Sequence, residues 1–405
     1  MTDRQEQLIK VFEDTQKFYK ENQVLADAVT FGRVNTKLFE ADEYPELPGE
    51  GLSDGAGEIR ISKDKTFEAA MKLRGEFPDQ KIAVLNFASA TNPGGGVKKG
   101  SSAQEESLCR CSTLFPTIDR KWLWQKYYDV NRQANDARYS DACIYSPGVI
   151  ICKTDESIPK RMEEESFVTV DVITCAAPNL RKIPSNHMNP NAGNAVKMDT
   201  EQLYQLQLKR IRHILHIAAY NKVEILVLGA FGCGAFENDP FVVARAFRDA
   251  IQEYRNHFQV ITFAIYCRDY ESDNYKAFKE VLEQAENDGF SNPFLQGNEK
   301  IEEAINAFHQ EGSKDQMTLV LESLRNRMHE DGQFIIPVLF DDNDPNAFSM
   351  QAITTKDGKL WQVAFTSKKE FEKGAPSKVI SYFIDATMKA CLESDNEVEG
   401  FIINP

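Results

Sequence analysis

The sequence predicts an α/β sandwich with a largely parallel or mixed central sheet, followed by a smaller α+β domain. Three observations carry this reading. Short apolar, β-branched runs alternate with amphipathic helical stretches as far as about residue 285. A polar stretch rich in Gly, Asn and Pro then interrupts the pattern, and the order of elements beyond it differs. The chain has 405 residues, 42% of them hydrophobic, enough for more than one core.

The elements follow in order. A charged helix is expected over residues 3–21. "KIAVLNFA" (Lys81 to Ala88), "FVTVDVITCAA" (Phe167 to Ala177), "VEILVLGA" (Val223 to Ala230) and "VITFAIY" (Val260 to Tyr266) read as strands buried on both faces. "TEQLYQLQLKRIRHILHIAA" places Leu203, Leu206, Ile211, Ile214, Leu215 and Ala218 on or near one helix face. "DPFVVARAFRDAIQEY" opens with Asp239 as N-cap and Pro240 at the first helical position. The first domain is thus expected over residues 1–287, a linker over 288–299 and the α+β domain over 300–405. In that last part, two helices (about 300 to 330) precede "GQFIIPVLF", and a hairpin turns at Asp357-Gly358. A helix near Lys378 to Cys391 and a final strand, "VEGFIINP", complete it.

A formal net charge of -15 argues against broad electrostatic binding to DNA or RNA, where Lys and Arg must neutralise phosphates. It leaves room for one small anion held by backbone amides. The first residues lack the apolar core of a signal peptide, and no run is long enough to cross a bilayer. A cytoplasmic protein without membrane contact is expected. Eight scattered cysteines need no disulfides there, and the lone Cys109-x-Cys111 lacks the second pair or His that zinc requires.

Chemistry concentrates in two loops. Gly94-Gly95-Gly96 follows a buried strand, at the carboxyl end of the sheet where α/β folds bind ligands. Three glycines let a backbone approach a ligand with no Cβ in the way. "GAFGCGAFEND" (Gly229 to Asp239) also follows a strand and precedes a helix, so its amides and the helix dipole suit a diphosphate. Neither loop matches the Rossmann or P-loop patterns. Glu105 and Glu106 are consecutive, just after the first loop. Ser101 or Ser102 with Glu105 suggests a capping box, which explains Glu105 structurally; Glu106 has no such explanation. Acidic side chains beside a bound sugar are what glycosidic cleavage needs.

Gly-Gly-Gly, seven residues, then Gln104-Glu105-Glu106 resembles the signature of poly(ADP-ribose) glycohydrolases, which place it on a macrodomain fold. "NFASATNPGGG", "SDACIYSPGVIIC", "ITCAAPN" and "LGAFGCGAFEND" resemble the microbial-type branch, across roughly residues 5 to 285. The resemblance implies a macrodomain-like α/β/α sandwich that binds ADP-ribose and needs neither metal nor cofactor. It makes Glu106 the general acid that then activates water. Glu105 would bind hydroxyls, with Gln104 supporting the pair. Gly94, Gly95, Gly96 and Val97 would follow the ribose and diphosphate. Gly232, Cys233, Gly234 and Ala235 would line the diphosphate, with Phe236 packing on the ribose. Asn92 and Asn86 would hydrogen-bond the distal ribose.

Other residues read as structural. His213 and His216 have metal-like spacing but no third ligand, and are expected at the surface or in the core. Lys98 and Lys99 are either phosphate-attracting or simply solvated. Tyr145 and Phe231, near strands, and Trp122, Trp124, Tyr127 and Tyr128 are expected to pack. "FIIPVLF", "WQVAFTSKKEFEK" and "EGFIINP" resemble the amino-terminal domain of SseB-type proteins, which implies a partner- or substrate-binding appendage. Two alternatives stay open for the first domain: a non-catalytic ADP-ribose reader, and a hydrolase acting on mono-ADP-ribosylated protein.

Overall fold

The computed structural model describes residues 2–49, 57–187, 189–268, 272–287, 295, 297–330, 332–341, 344–371, 373–374, 379–392 and 398–405. The chain forms two compact units, Met1–Leu282 and Glu283–Pro405.

The first unit opens with helices α1 (Asp3–Glu21) and α2 (Gln23–Asn35). Thr2 and Gln5 close a capping box on α1, and the Asn22 side chain accepts from the Leu25 amide at the start of α2. Strands β1 (Lys37–Phe39) and β2 (Glu58–Ser62) and helix α3 (Thr66–Glu76) lead to β3 (Ile82–Phe87) and α4 (Gln104–Cys111). Short helices α5 (Phe115–Ile118), α6 (Lys121–Leu123) and α7 (Asp129–Ala134) precede β4 (Cys143–Ile151) and β5 (Val168–Cys175). Then come α8 (Thr200–Tyr220), β6 (Ile225–Leu228), α9 (Pro240–Tyr254), β7 (Val260–Ala264) and α10 (Asp273–Asn287). The seven strands form one mixed sheet in the order β1-β4-β5-β3-β6-β7-β2. β5, β3, β6, β7 and β2 are parallel; at one side β4 pairs antiparallel with β5, and β1 antiparallel with β4.

Side-chain alternation divides the core between the sheet faces. Ile82 and Val84, Val170 and Val172, and Ile225 and Val227 pack with Phe67 and Ala70 of α3 and Phe12 of α1. On the other face Phe263 meets Phe247 of α9, ring centroids 5.2 Å apart. The α/β/α sandwich follows. The parallel strands end together, so the loops after Phe87, Cys175, Leu228 and Ala264 share one edge of the sheet.

α8 spans the predicted region, but its inner face is less apolar than its pattern suggested. Gln207, Arg210 and His213 are buried with the aliphatic residues, and Leu206 is only half-buried. His213 lies between the carbonyls of Asp141 and Glu43, and His216 reaches that of Pro45, so both histidines belong to the core. Tyr127 and Tyr128 are buried against each other, while Trp122 and Trp124 are only half-buried beside them.

The second unit contains α11 (Glu299–Glu311), α12 (Lys314–His329), β8 (Gln333–Asp341), β9 (Asp344–Met350), β10 (Ala352–Thr354) and β11 (Leu360–Ala364). A short helix α13 (Lys368–Phe371), β12 (Val379–Phe383), α14 (Ile384–Leu392) and β13 (Val398–Ile403) complete it. β10 and β11 form the hairpin expected at Asp357-Gly358, with Gly358 at φ +81°. Ile301, Val320, Leu324, Phe334, Ile336, Val338, Ala364 and Ile384 form its core. The helix expected from Lys378 is corrected: it begins at Ile384, because "VISYF" pairs antiparallel with β8 through Ile336 and Pro337. The linker expected over 288–299 lies largely outside the described residues, and α11 already includes Glu299.

Arg210 is the most consequential buried charge of the first unit. It donates from Nε to Asp141 Oδ1 (2.8 Å), from Nη1 to the Ala176 carbonyl (2.8 Å) and from Nη2 to the Arg138 and Tyr139 carbonyls. It thereby ties α8 to two loops, including the one after β5. Arg210→Met should lower the unfolding free energy by about 3 kcal/mol or more in urea titrations, because it leaves buried Asp141 with Lys209 as its remaining cation and strands three carbonyls.

Candidate active site

The site is assembled where β3 loses a partner. β6 pairs with β3 only through Ile82, Ala83 and Val84. Beyond that point the Gln104 side chain takes the strand's place: Oε1 accepts from the Phe87 amide (2.8 Å) and Nε2 donates to the Leu85 carbonyl (2.7 Å) and Thr66 Oγ1 (3.1 Å). This carboxamide staples the first turn of α4 to the sheet end. The serine capping box does not form; the N-cap is Ala103, with no side-chain cap. Ser101 is held back against the glycine loop, its amide on the Gly96 carbonyl and its own carbonyl accepting from Arg110 Nη1. Glu105 and Glu106 therefore occupy the second and third helical positions.

Both carboxyls are buried, Glu105 at 3% and Glu106 at 8% exposure. Glu105 Oε2 accepts from the Ser89 amide (2.7 Å), and Oε1 from the Gly94 amide (3.1 Å) and Asn86 Nδ2 (3.5 Å). Burial, and then the neighbouring Glu106, push the Glu105 carboxyl well above the usual range, against the pull of those donors. Glu106 Oε1 accepts from the Gly96 amide (2.8 Å), whereas Oε2 has no partner. Burial raises Glu106 as well, opposed by the Gly96 amide and the charge of Arg110.

The glycines make this possible. Gly94 and Gly95 have φ of +68° and +54°, and a Cβ on Gly95 would stand 2.6 Å from Glu106 Oε1 and 3.1 Å from Glu105 Oε2. In the second loop Gly232 has φ +78°, and its Cβ would stand 2.6 Å from that of Ala177. Buried Asn238 fixes this loop: Nδ2 lies 2.7 Å from the Pro178 carbonyl, 3.1 Å from that of Gly232 and 3.2 Å from that of Phe236. Gln207 Nε2 holds its Oδ1 at 2.8 Å. The helix dipole contributes less than expected. Asp239 caps α9 by accepting from the Phe241 and Val242 amides, which takes two of the helix's free donors.

A cavity of about 700 Å³ runs along both loops, within the usual range of small-molecule sites. Of the residues predicted to line it, Gly95, Gly96, Gln104, Glu105, Glu106, Gly232, Gly234, Ala235 and Phe236 do so. Gly94, Val97, Cys233, Asn86 and Asn92 stand behind the wall. Val97 is core, and Asn86 lies between Glu105 and Thr174 Oγ1. Asn92 accepts from Arg132 Nη2 (2.6 Å) and donates to Asn189 Oδ1 (2.7 Å). Lys98 pairs with Asp119, and Lys99 donates to the His187 carbonyl. Tyr145 bonds Asp171 inside the fold, and Phe231 packs on Phe87 with ring centroids 5.8 Å apart. Sequence reasoning missed Ser89, Asn179, Asn189 and Tyr266 on the wall and Asn238 behind it. Asn238 had one signal, its place just before the Asp-Pro helix start.

Fold and site together define a macrodomain-like α/β protein with a glycosidase-type pair of carboxyls. Residues 6–154 match the family model for the microbial-type PARG catalytic domain, PARG being poly(ADP-ribose) glycohydrolase. The poly(ADP-ribose) glycohydrolase of Deinococcus radiodurans, solved with ADP-ribose, is 34% identical with a TM-score of 0.53, over 63% of this chain and 97% of that one. The Thermomonospora curvata enzyme is 29% identical with a TM-score of 0.54, over 63% and 89% of the two chains. Its complex with the inhibitor ADP-HPD gives 31% and 0.53, over 63% and 88%. No curated protein sequence matches. The chain belongs to the microbial-type poly(ADP-ribose) glycohydrolases.

Gly95 and Gly234 predict opposite tolerance to a methyl group. Gly95→Ala should cost about 1 to 3 kcal/mol in thermal unfolding and displace the carboxyls, lowering ADP-ribose release at least about tenfold. Gly234→Ala, with no atom within 4 Å of its Cβ, should fold with the parent's melting temperature.

Proposed function

We propose that this protein hydrolyses the ribose–ribose O-glycosidic bonds of poly(ADP-ribose) and releases ADP-ribose. The observation that carries the reading is the unpartnered Oε2 of buried Glu106, beside a second buried carboxyl and facing the glycine-lined cavity. A proton donor kept neutral by burial is what departure of a ribosyl oxygen requires.

In this mechanism the diphosphate of the terminal ADP-ribose lies along the amides of Gly232 to Ala235, and Phe236 packs against the ribose. Glu105 accepts from ribose hydroxyls and orients the linkage. Glu106 gives its proton to the leaving ribosyl oxygen as the glycosidic bond breaks, and positive charge develops at the anomeric carbon. The ionised Glu106 then takes a proton from water as the water oxygen bonds to that carbon, which restores the acid. The Gly96 amide holds the carboxyl in place throughout. Asn92 and Asn86 reach the ligand indirectly, through Asn189 and Glu105.

The carboxyl-terminal unit is read as a partner-binding appendage. Met317, Leu319 and Leu321 of α12 are exposed, Leu321 at 60%, which supports a contact surface better than a second catalytic centre. No helix among the described residues is long and apolar enough to cross a membrane.

ADP-ribose release from the polymer, followed for the parent, Glu106→Gln and Glu105→Gln, tests the reading. Glu106→Gln should slow release by about 100-fold or more while ADP-ribose binding by calorimetry survives. Tight binding without release by the parent would instead favour a reader or a mono-ADP-ribosyl hydrolase. The pH profile has a definite sign. Protonated Glu106 is the active form, and burial raises its pKa, so the alkaline limb of kcat should lie above the ordinary carboxylate range.

A further inference from the structure

Arg110 sits on α4 four residues after Glu106, the spacing and direction in which a glutamate and an arginine share a helix face. It is 2% exposed, yet no carboxylate among the described residues pairs with it. Its one side-chain acceptor is the Ser101 carbonyl, and Nε has no partner. A guanidinium so deeply buried and so poorly satisfied is costly, and structure alone gives little return for it. Glu106 has the complementary deficit, an unpartnered Oε2. The two groups act on each other: the charge of Arg110 lowers the Glu106 carboxyl, and that of Glu106 raises the guanidinium.

We propose that Arg110, which also lines the cavity, is a positioning residue for the reaction: acting through Glu106, it stabilises the carboxylate that Glu106 becomes when its proton leaves. The inference rests on Glu106 being the acid. Other titratable groups around this helix are Glu105, Cys109 and Cys111 on α4 itself and Arg4 on α1, which repels Arg110. Tyr128 borders Glu105, and Asp155, beside Lys65, accepts from Ser107 on the next turn. None of these is removed by a change at Arg110, whose charge lowers the Glu106 carboxyl.

The test is the pH dependence of polymer hydrolysis in Arg110→Gln, Arg110→Lys and Arg110→Met, with melting temperature and ADP-ribose affinity measured alongside. Loss of the charge should move the alkaline limb of kcat upward by about one pH unit or more, because the Glu106 carboxylate loses its stabilising neighbour. The kcat plateau should fall about tenfold or more, with ADP-ribose affinity within about threefold of the parent. Arg110→Lys, which keeps the charge, should restore most of both. Arg110→Met guards against a Gln variant that fails to fold, since an apolar chain relieves the buried unpaired charge. An alkaline limb at the parent's position in Arg110→Gln or Arg110→Met, whatever the melting temperature, would overturn the proposal. If Glu106→Gln still releases ADP-ribose at the parent's rate, the assignment of the acid falls first, and this inference with it. If Glu106→Gln is inactive and the limb stays put, only the role of Arg110 falls.

Discussion

Two carboxyl groups on consecutive residues are buried together at the start of one short helix, and the site is organised around that constraint. Each would prefer water, and Glu106 raises the cost of ionising Glu105. The fold answers with backbone amides. Ser89 and Gly94 serve Glu105, Gly96 serves Glu106, and the loop that supplies them reaches this shape because Gly94 and Gly95 adopt positive φ. The staple of Gln104 on the open end of β3 fixes where that helix begins. Donors, glycines and staple form one unit, since none of them holds the carboxyls without the others.

The second loop solves a different problem with the same means. An anion held by loop amides needs a backbone that does not relax around it. Asn238, itself held by Gln207, gathers the carbonyls of Pro178, Gly232 and Phe236 on one carboxamide. Arg210 does similar work beneath the loop after β5. Rigid polar anchors behind a glycine-rich surface preorganise a site whose ligand-facing side has few side chains of its own.

These anchors explain how a chain of strongly negative charge accommodates an anionic ligand. Attraction here is local and dipolar. Asp239 even occupies the helix terminus that a phosphate would otherwise use, which leaves the loop amides as the donors on offer.

The sequence by itself determined the alternation of strands and helices, the cap at Asp239-Pro240, the hairpin at Asp357-Gly358 and the two glycine loops. Each of these is local: periodicity, capping and turn chemistry act over a few residues, so they can be read along the chain. Gln104, Glu105 and Glu106 were singled out by their neighbours in sequence and then by family resemblance. Tertiary structure decided the rest. Only the sheet edge shows why Gln104 is an amide, and only packing moves the helix start from the serines to Ala103. "VISYF" is a strand because β8 offers it a partner, so the expected helix starts only after it, at Ile384. Asn92 and Asn86 were expected against the ribose, yet their amides are engaged by Asn189 and Glu105, partners distant in sequence. Asn238 gave almost no signal, because its contacts run between loops and to α8, which no local pattern encodes.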